Sequence, residues 1–310
     1  MAANDIYIDH GSNGDSGTEA VDLKVHKVTP AFKIPHDLAK DLIEKVVHTA
    51  NLKSAFRAVK RNKGAPGIDK RTICDVEAVL DDIIKELQSS IIDGKYTPSS
   101  VRGVQIPKAN GKTRLLGIPT VIDRMVQQAI VQILSPIFDP HFSDNSYGFR
   151  PKRSASGAIS KAKSYVKSGK SWVVDMDLEA FFDNVNHDIL MSMIARSISD
   201  KKLLKLIRSF LNAGMMQNGL VSKRDVGTPQ GGPLSPLLSN ILLHELDREL
   251  HLRDHSFVRY ADDCNIYVSS TLAAQRVLAS VTKFLKSKLK LKVNLTKSAA
   301  SSVQSRKFLG

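Results

Sequence analysis

Two β-prone segments in the last quarter of the chain are separated by only three residues. The segments are 257–260 (FVRY) and 264–269 (CNIYVS), and Ala261, Asp262 and Asp263 lie between them. A connection of this length is typical of a hairpin, because parallel neighbours need a much longer crossover. The sequence therefore predicts an antiparallel hairpin that carries two adjacent carboxylates at its tip.

Further strand signals lie upstream of this hairpin. Residues 171–177 (SWVVDMD) form a short β-rich run that ends in acids. Segments 103–107 and 113–118 flank Asn110-Gly111, the dipeptide that favours a type I′ hairpin turn. We expect a second hairpin there.

Helical spacing of apolar residues alternates with these strands. It predicts a helix over 72–93 that ends at Gly94, and a helix over about 122–134 that Pro136 stops. Four more helices are predicted, at 188–198, 200–212, 234–251 and 272–289. Hairpins mixed with helices indicate an α+β fold, not alternating βαβ units.

Composition excludes several classes of protein. The chain has 310 residues and is 42% hydrophobic, which suits two domains or one large one with a real core. No apolar run approaches the ~18–20 residues of a membrane span, and the first residues resemble neither a signal nor a transit peptide. Two cysteines form neither a disulfide framework nor a zinc site by themselves, so we expect a reducing, cytoplasmic, bacterial setting.

The net charge of +14 is distributed unevenly. Residues 1–22 hold five acids and no Lys or Arg, and read as a flexible acidic tail. After Asp263 there are nine Lys or Arg and no acid. One-signed stretches favour a polyanion such as nucleic acid, although a solvated basic face is an equal alternative on charge alone.

Three acids are candidates for chemistry. Asp177 ends the 171–177 strand, and Asp262 and Asp263 form the hairpin tip. Carboxylates gathered at strand ends are the hard oxygen ligands that Mg²⁺ prefers, and two such ions can drive phosphoryl transfer. The ordinary alternative is that Asp is simply a common turn residue.

Six blocks of sequence follow one another along roughly residues 60–310. They are 62–69 (NKGAPGID), 106–130 (IPKANGKTRLLGIPTVIDRMVQQAI), 146–155 (SYGFRPKRSA), 173–187 (VVDMDLEAFFDNVNH), 227–247 (GTPQGGPLSPLLSNILLHELD) and 259–263 (RYADD). In content and order they resemble the finger and palm motifs of reverse transcriptases encoded by group II introns. A single YADD is a weak signal, whereas the ordered series is a specific one.

The resemblance implies a right-hand polymerase architecture, with helical fingers carrying a β-hairpin and a palm with an antiparallel sheet flanked by helices. It implies fingers over 23–170 and a palm over 171–310. The chain would stop at the primer-grip motif, so we expect the thumb and maturase domains of the family to be absent and polymerase activity to be weak.

The resemblance also implies a catalytic, metal-binding triad of Asp177, Asp262 and Asp263. Two Mg²⁺ ions are the implied cofactors, with Mn²⁺ as the alternative. Lys108 and Arg114 occupy the finger positions that grip the incoming triphosphate, which suits a compact charge and a planar fork. Lys297 lies where the family often has a lysine near the triphosphate.

Other motif positions resemble nucleotide-pocket residues. Phe182 matches the position that excludes a ribose 2′-hydroxyl, while Phe181 is the second candidate and is expected to lie in the core. Pro229 and Gln230 match residues that line the nucleotide and template pocket. Glycines beside them allow the backbone to approach a ligand closely.

The implied partners are an RNA template, the host intron RNA, a DNA or RNA primer and dNTPs, with no membrane. The acid-free segment 150–170 would suit a template backbone, and the candidate contacts are Arg150, Lys152, Arg153 and Lys163. A homodimer stays open.

Two functions of different classes remain. The first is RNA-directed DNA polymerisation by attack of a primer 3′-hydroxyl on a dNTP. The second is a binding module that recognises intron RNA and assists splicing. A retron-type bacterial reverse transcriptase is the alternative identity within the enzyme class.

Overall fold

The protein is described by a computed structural model that covers residues 39–107, 111, 113–217, 220–222, 226–228 and 231–309. The predicted acidic tail, 1–22, lies outside these residues. The helices within them are α1 (Leu42–Val47), α2 (Thr49–Arg61), α3 (Ile73–Glu77), α4 (Leu80–Ile92), α5 (Val121–Phe138), α6 (Ala155–Lys167), α7 (His187–Ala195), α8 (Lys201–Asn212), α9 (Leu234–Leu252) and α10 (Thr271–Phe284). The strands are β1 (Val101–Pro107), β2 (Thr113–Ile118), β3 (Trp172–Met176), β4 (Met215–Gln217), β5 (Leu220–Ser222), β6 (Ser256–Tyr260), β7 (Asp263–Val268) and β8 (Ala299–Ser302).

One sheet has the strand order β6-β7-β3-β8, and all its neighbours are antiparallel. The predicted 257–269 hairpin is confirmed as β6 and β7, and the 171–177 run is confirmed as β3. Every residue of β7 after its first is buried, including the polar Asn265. The sheet brings the predicted acidic tip next to the end of β3.

The second sheet has the order β2-β1-β4-β5. The predicted hairpin of 103–107 and 113–118 is confirmed as β1 and β2, and β4 runs parallel to β1. Strands β4 and β5 have three residues each, too short for a readable alternation of polar and apolar residues. The sheet of the predicted fingers thus takes two strands from beyond residue 171, and the proposed boundary between 23–170 and 171–310 remains a prediction.

The single helix predicted over 72–93 is wrong, because the chain forms α3 and α4 in its place. Thr72 and Asp75 make a reciprocal capping box that starts α3, and Val79 leaves the helical region with φ −126° and ψ 27°. Asp81 and Asp82 then favour a new helix start by complementing its dipole. The predicted end at Gly94 is confirmed by its positive φ of 70°.

Pro136 does not stop the helix predicted over 122–134. Helix α5 continues through it to Phe138. A proline removes one hydrogen bond to the carbonyl four residues earlier, and here that loss falls in the last turn. The four other predicted helices are confirmed as α7, α8, α9 and α10, with a π-helical turn at Leu285–Leu289 extending α10.

The core is built around α9. This helix has 19 residues and is buried over most of its length, including the polar residues Asn240, His244 and Asp247, while its last two residues are exposed. It packs against α5, α7 and β6. The polar side chains of a largely buried helix need specific partners, because an unpaired polar group is costly in the core. No helix in the described ranges combines the length and apolar character needed to cross a membrane.

We predict an acid-sensitive fold because of His244. Burial lowers the pKa of this imidazole from 6.5 to about 4. The unfolded chain therefore takes up the proton first, and stability is lost as the pH falls from about 6.5 towards 4, by up to about 3 kcal/mol. Urea unfolding of the wild type and of His244→Gln at pH 7.5 and pH 5 measures the effect. A loss of stability between the two pH values that is equal in both proteins would contradict it.

Candidate active site

The strand register places the three predicted catalytic acids together. Met176, the last residue of β3, pairs with Cys264 of β7. The next residue on each strand in that register is Asp177 on one side and Asp263 on the other. Asp262 lies in the turn between Tyr260 and Asp263, which pair with each other. The end of β3 and the β6–β7 turn therefore present all three carboxylates at one edge of the sheet.

The β6–β7 turn is held in a strained conformation. Ala261 has a φ of 57°, in the left-handed region that residues other than glycine rarely occupy. Its carbonyl accepts a hydrogen bond of 2.8 Å from Nη1 of Arg259. Strain of this kind persists when the surroundings determine the backbone, and it is common at functional sites.

Arg259 is fully buried and forms the centre of a polar network. Its Nε and Nη2 donate to the two carboxylate oxygens of Asp247 at 2.7 and 2.6 Å, and both side chains are 0% exposed. Nη1 also donates to Oδ1 of Asn240 at 3.0 Å. Asn240 in turn donates from Nδ2 to the Gly148 carbonyl at 2.9 Å. The network joins α9, the β6–β7 turn and the 145–149 segment.

The acids repel one another. Burial and, after it, the neighbouring carboxylates of Asp262, Asp177 and Asp175 together raise the pKa of Asp263 to about 6. Burial and the nearby Asp177 also raise the pKa of Asp262. Clustered carboxylates with raised pKa values are the electrostatic signature of a site that is completed by a cation.

Lys297 lies at the same site. Its Nζ is 3.3 Å from Oδ2 of Asp177. The loop that carries it is fixed to the end of β3, because Asn294 N donates to the Asp177 carbonyl at 2.9 Å and Asp177 N donates to Oγ of Ser298 at 2.9 Å. The structure thus brings the predicted Lys297 to the predicted triad.

The donor chemistry of the triad fits divalent cations. Asp177, Asp262 and Asp263 offer only carboxylate oxygens, which suit Mg²⁺. Across the described residues, however, no group of three His, Cys, Asp or Glu side chains is arranged to hold a metal ion. In this arrangement Lys297 already supplies a positive charge to Asp177.

Of the predicted site residues that the structure describes, Arg114 and Phe182 line a cavity of about 530 Å³, whereas Lys297 and the three acids do not. Arg114 lies on β2 with its side chain exposed. The backbone of the predicted glycine-rich segment also borders the cavity, and Gly231 has a φ of 126°. A Cβ there would lie 2.5 Å from the carbonyl oxygen of Gly117, so only glycine fits.

Phe181 and Phe182 have different environments. Phe181 is 2% exposed and belongs to the core, as predicted, whereas Phe182 is partly exposed in the cavity. Their rings are 5.2 Å apart in an edge-on arrangement. The Phe182 carbonyl accepts a hydrogen bond of 2.6 Å from Thr228 N, which joins the two motifs. Lys108, Pro229 and Gln230 lie outside the described residues.

Arg150 does not fit its predicted contact with template. Its side chain is 5% exposed, and its Nε donates to Oδ1 of Asp139 at 2.8 Å. Its Nη1 donates to the carbonyls of Ser143 and Ser146, and Nη2 to that of Asp139. All three guanidinium nitrogens thus donate hydrogen bonds within the protein, so the side chain has a structural role. The prediction is wrong for this residue because a run of basic residues does not reveal which ones turn inward.

The other predicted RNA contacts remain exposed or partly exposed. Lys152 and Lys163 are exposed. Arg153 is partly engaged, since it donates to Asp144 at 2.6 Å and lies 5.5 Å from the ring centre of Tyr147. Lys152 and Lys163 therefore remain the free cations of this set.

Sequence reasoning assigned no role to Arg259, Asp247 or Phe149. Asp247 gave no clear sequence signal, because Glu245 and Arg248 lie beside it in the chain. A usable signal was present for Arg259, which is a lone charge inside the apolar run FVRY. Such a charge is buried only with a partner. Phe149, which also lines the cavity, gave no sequence signal beyond its place in a motif.

Comparisons with known proteins agree with these observations. Residues 106–310 match the family described as reverse transcriptase (RNA-dependent DNA polymerase). Protein YkfC of Escherichia coli is 35% identical over 286 residues, covering 79% of this chain and 75% of that protein. Group II intron-encoded protein LtrA of Lactococcus lactis is 42% identical over 197 residues, covering 63% of this chain and 32% of LtrA. The chain thus spans about a third of the length of LtrA.

Solved structures are similar in fold. A partial Cas6-RT-Cas1–Cas2 complex has a TM-score of 0.50 and 22% identity, covering 80% of this chain and 43% of that one. Apo telomerase from Candida tropicalis has a TM-score of 0.53 and 12% identity, covering 75% of this chain and 51% of that one. The expected α+β, polymerase-type fold is confirmed by these likenesses.

We predict that Asp263→Asn stabilises the metal-free protein. Because the pKa of Asp263 is raised to about 6, its contribution to folding stability is lost as the pH rises from about 4 to 6. Above that range the ionised carboxylate opposes folding, and the neutral amide removes this penalty. Solvent screens the partly exposed group, so we expect a gain of about 1 kcal/mol at pH 7.5.

Urea unfolding in the presence of a chelator measures this gain. The difference between variant and wild type should shrink from pH 7.5 to pH 4.5. Asp254→Asn, at an exposed position, is the matched control and should show no such trend. A gain that is absent or independent of pH would show that the acids do not strain the fold.

Proposed function

The chain belongs to the reverse transcriptase family of RNA-dependent DNA polymerases, and we propose that it synthesises DNA on an RNA template as part of a group II intron-encoded protein. Members of this family generally use divalent metal ions. The observation that carries the proposal is the meeting of Asp177, Asp262 and Asp263 at one sheet edge, together with a cavity lined by Arg114 and Phe182. The relative LtrA supports the intron assignment.

The reaction we propose is attack of a primer 3′-hydroxyl on the α-phosphate of a dNTP, with pyrophosphate as the leaving group. Asp177, Asp262 and Asp263 would hold two Mg²⁺ ions, or Mn²⁺ in their place. When bound, such ions activate the hydroxyl and stabilise the charge on the leaving oxygen. The three carboxylates supply the binding site and the β6–β7 turn fixes their orientation.

We assign the triphosphate to Arg114 and Lys297. Arg114 offers a planar fork to phosphate oxygens from β2, and Lys297 offers a compact charge beside Asp177. Phe182 is assigned to the ribose, where a ring leaves no space and no partner for a 2′-hydroxyl. Lys108, Pro229 and Gln230 are expected to complete this pocket.

Binding of intron RNA in support of splicing is the second part of the proposal. Residues 23–310 carry a net charge of +19, and Lys152 and Lys163 are exposed on one acid-free segment. Such a surface suits a phosphate backbone. Action in a bacterial cytoplasm also belongs to the proposal, and the bacterial relatives YkfC and LtrA support it.

Asp262→Asn tests the catalytic proposal. The substitution keeps the shape of the side chain and removes its charge, so we expect primer extension on an RNA template to fall by about 1,000-fold or more. Affinity for the same primer–template should not fall, because the charge lost is negative. Asp254→Asn should retain extension. Full extension by Asp262→Asn would contradict the proposed role of the triad.

The RNA-binding surface is tested by a Lys152→Gln, Lys163→Gln double variant. If both lysines contact phosphates, RNA affinity falls and the slope of log K against log salt decreases by about one per contact. Filter binding at several salt concentrations measures both quantities. Lys85→Gln, at an exposed position of α4, is the control. An unchanged slope would place the RNA elsewhere on the protein.

A further inference from the structure

Phe149 combines exposure with an unfavourable backbone conformation. Its side chain belongs to a residue that is 53% exposed, yet its φ is 59°. A bulky residue in the left-handed region is an outlier, and exposure means that burial of the ring does not compensate for the strain. Packing of the ring in the core therefore does not account for the positive φ of Phe149, and the surroundings of the ring become the relevant feature.

The backbone around Phe149 is fixed on both sides. A Cβ at Gly148 would lie 2.1 Å from Ala261 N, so residue 148 packs directly against the catalytic turn. Nδ2 of the buried Asn240 holds the Gly148 carbonyl at 2.9 Å. On the other side Arg150 is braced by Asp139. These contacts fix the backbone on both sides of Phe149, and Phe149 lines the cavity of about 530 Å³ that Arg114 and Phe182 also line.

The cavity has the chemistry of a nucleotide site. Phe149 and Phe182 line it together with Arg114 and Arg124. Among the described residues that border it there is no carboxylate. Arg124 is itself anchored, because its Nη2 donates to the Ala65 carbonyl at 2.8 Å. Aromatic faces and cations without acids suit flat bases and negative phosphates.

We propose that Phe149 is a stacking platform for a nucleobase of the nascent base pair. This proposal rests on the proposed polymerase function, and it adds a base contact to the ribose and phosphate contacts assigned to Phe182, Arg114 and Lys297. The base comes either from the template or from the incoming nucleotide, since both present the same π-face. Loss of one base–aromatic stack weakens binding by between about 5-fold and about 100-fold.

Fluorescence of 2-aminopurine tests the proposal without turnover. In one arm the probe is the templating base of a primer–template, and in the other it is the base of the incoming triphosphate, with Ca²⁺ replacing Mg²⁺. The wild type should quench one probe through stacking. Phe149→Gly should lose that quenching and the corresponding affinity, while Phe149→Tyr should retain both. The arm that responds identifies the source of the base.

Stability separates a functional ring from a structural one. Glycine tolerates a φ of 59°, so Phe149→Gly should unfold at a temperature no lower than the wild type. Leu252→Ala, which alters another exposed apolar side chain, should leave quenching unchanged. A loss of thermal stability in Phe149→Gly, or quenching in both arms equal to that of the wild type, overturns the proposal.

The two proposals fail in different ways. A wild type that neither extends the primer nor quenches either probe would contradict the polymerase function itself. A wild type that extends and quenches, beside a Phe149→Gly variant that quenches equally, would contradict only the stacking role.

Discussion

The buried ion pair between Arg259 and Asp247 is the interaction on which the site depends. Both side chains are completely buried, and the two charges meet through a bidentate contact. A buried charge is tolerated only with a partner, and removing one member leaves the other uncompensated at a cost of about 3–5 kcal/mol. The remaining donor, Nη1, is satisfied by Asn240 and by the Ala261 carbonyl. The pair therefore constrains α9 and β6 to a single relative position.

This constraint extends to the segment that precedes Phe149. The backbone of Arg259 exchanges hydrogen bonds with the 145–147 segment, since Arg259 N donates to the Asn145 carbonyl and Tyr147 N donates to the Arg259 carbonyl, each at 2.8 Å. The same residue thus fixes the β6–β7 turn through its side chain and the segment leading to Phe149 through its main chain. Left-handed residues at Ala261 and Phe149 are stable there because their neighbours are fixed.

The sequence was sufficient wherever local patterns determine structure. The three-residue spacing predicted the β6–β7 hairpin, and the acids at its tip followed directly. Local patterns failed where tertiary contacts decide, as in the pairing of β4 with β1. The inward turn of Arg150 also depends on Asp139 and on carbonyls of a loop that periodicity does not describe. Arg259 and Asp247 are only twelve residues apart, yet their pairing requires the chain to reverse between α9 and β6.

Repulsion between the like-charged acids explains why fixed surrounding contacts are needed to hold them in place. Asp262 and Asp263 have raised pKa values, so the acids disfavour the arrangement that catalysis requires. Arg259 attracts Asp262 from within the protein, and Lys297 pairs with Asp177 from the solvent side. Each cation offsets part of the repulsion between the carboxylates. The repulsion that remains is free energy that cation binding can release.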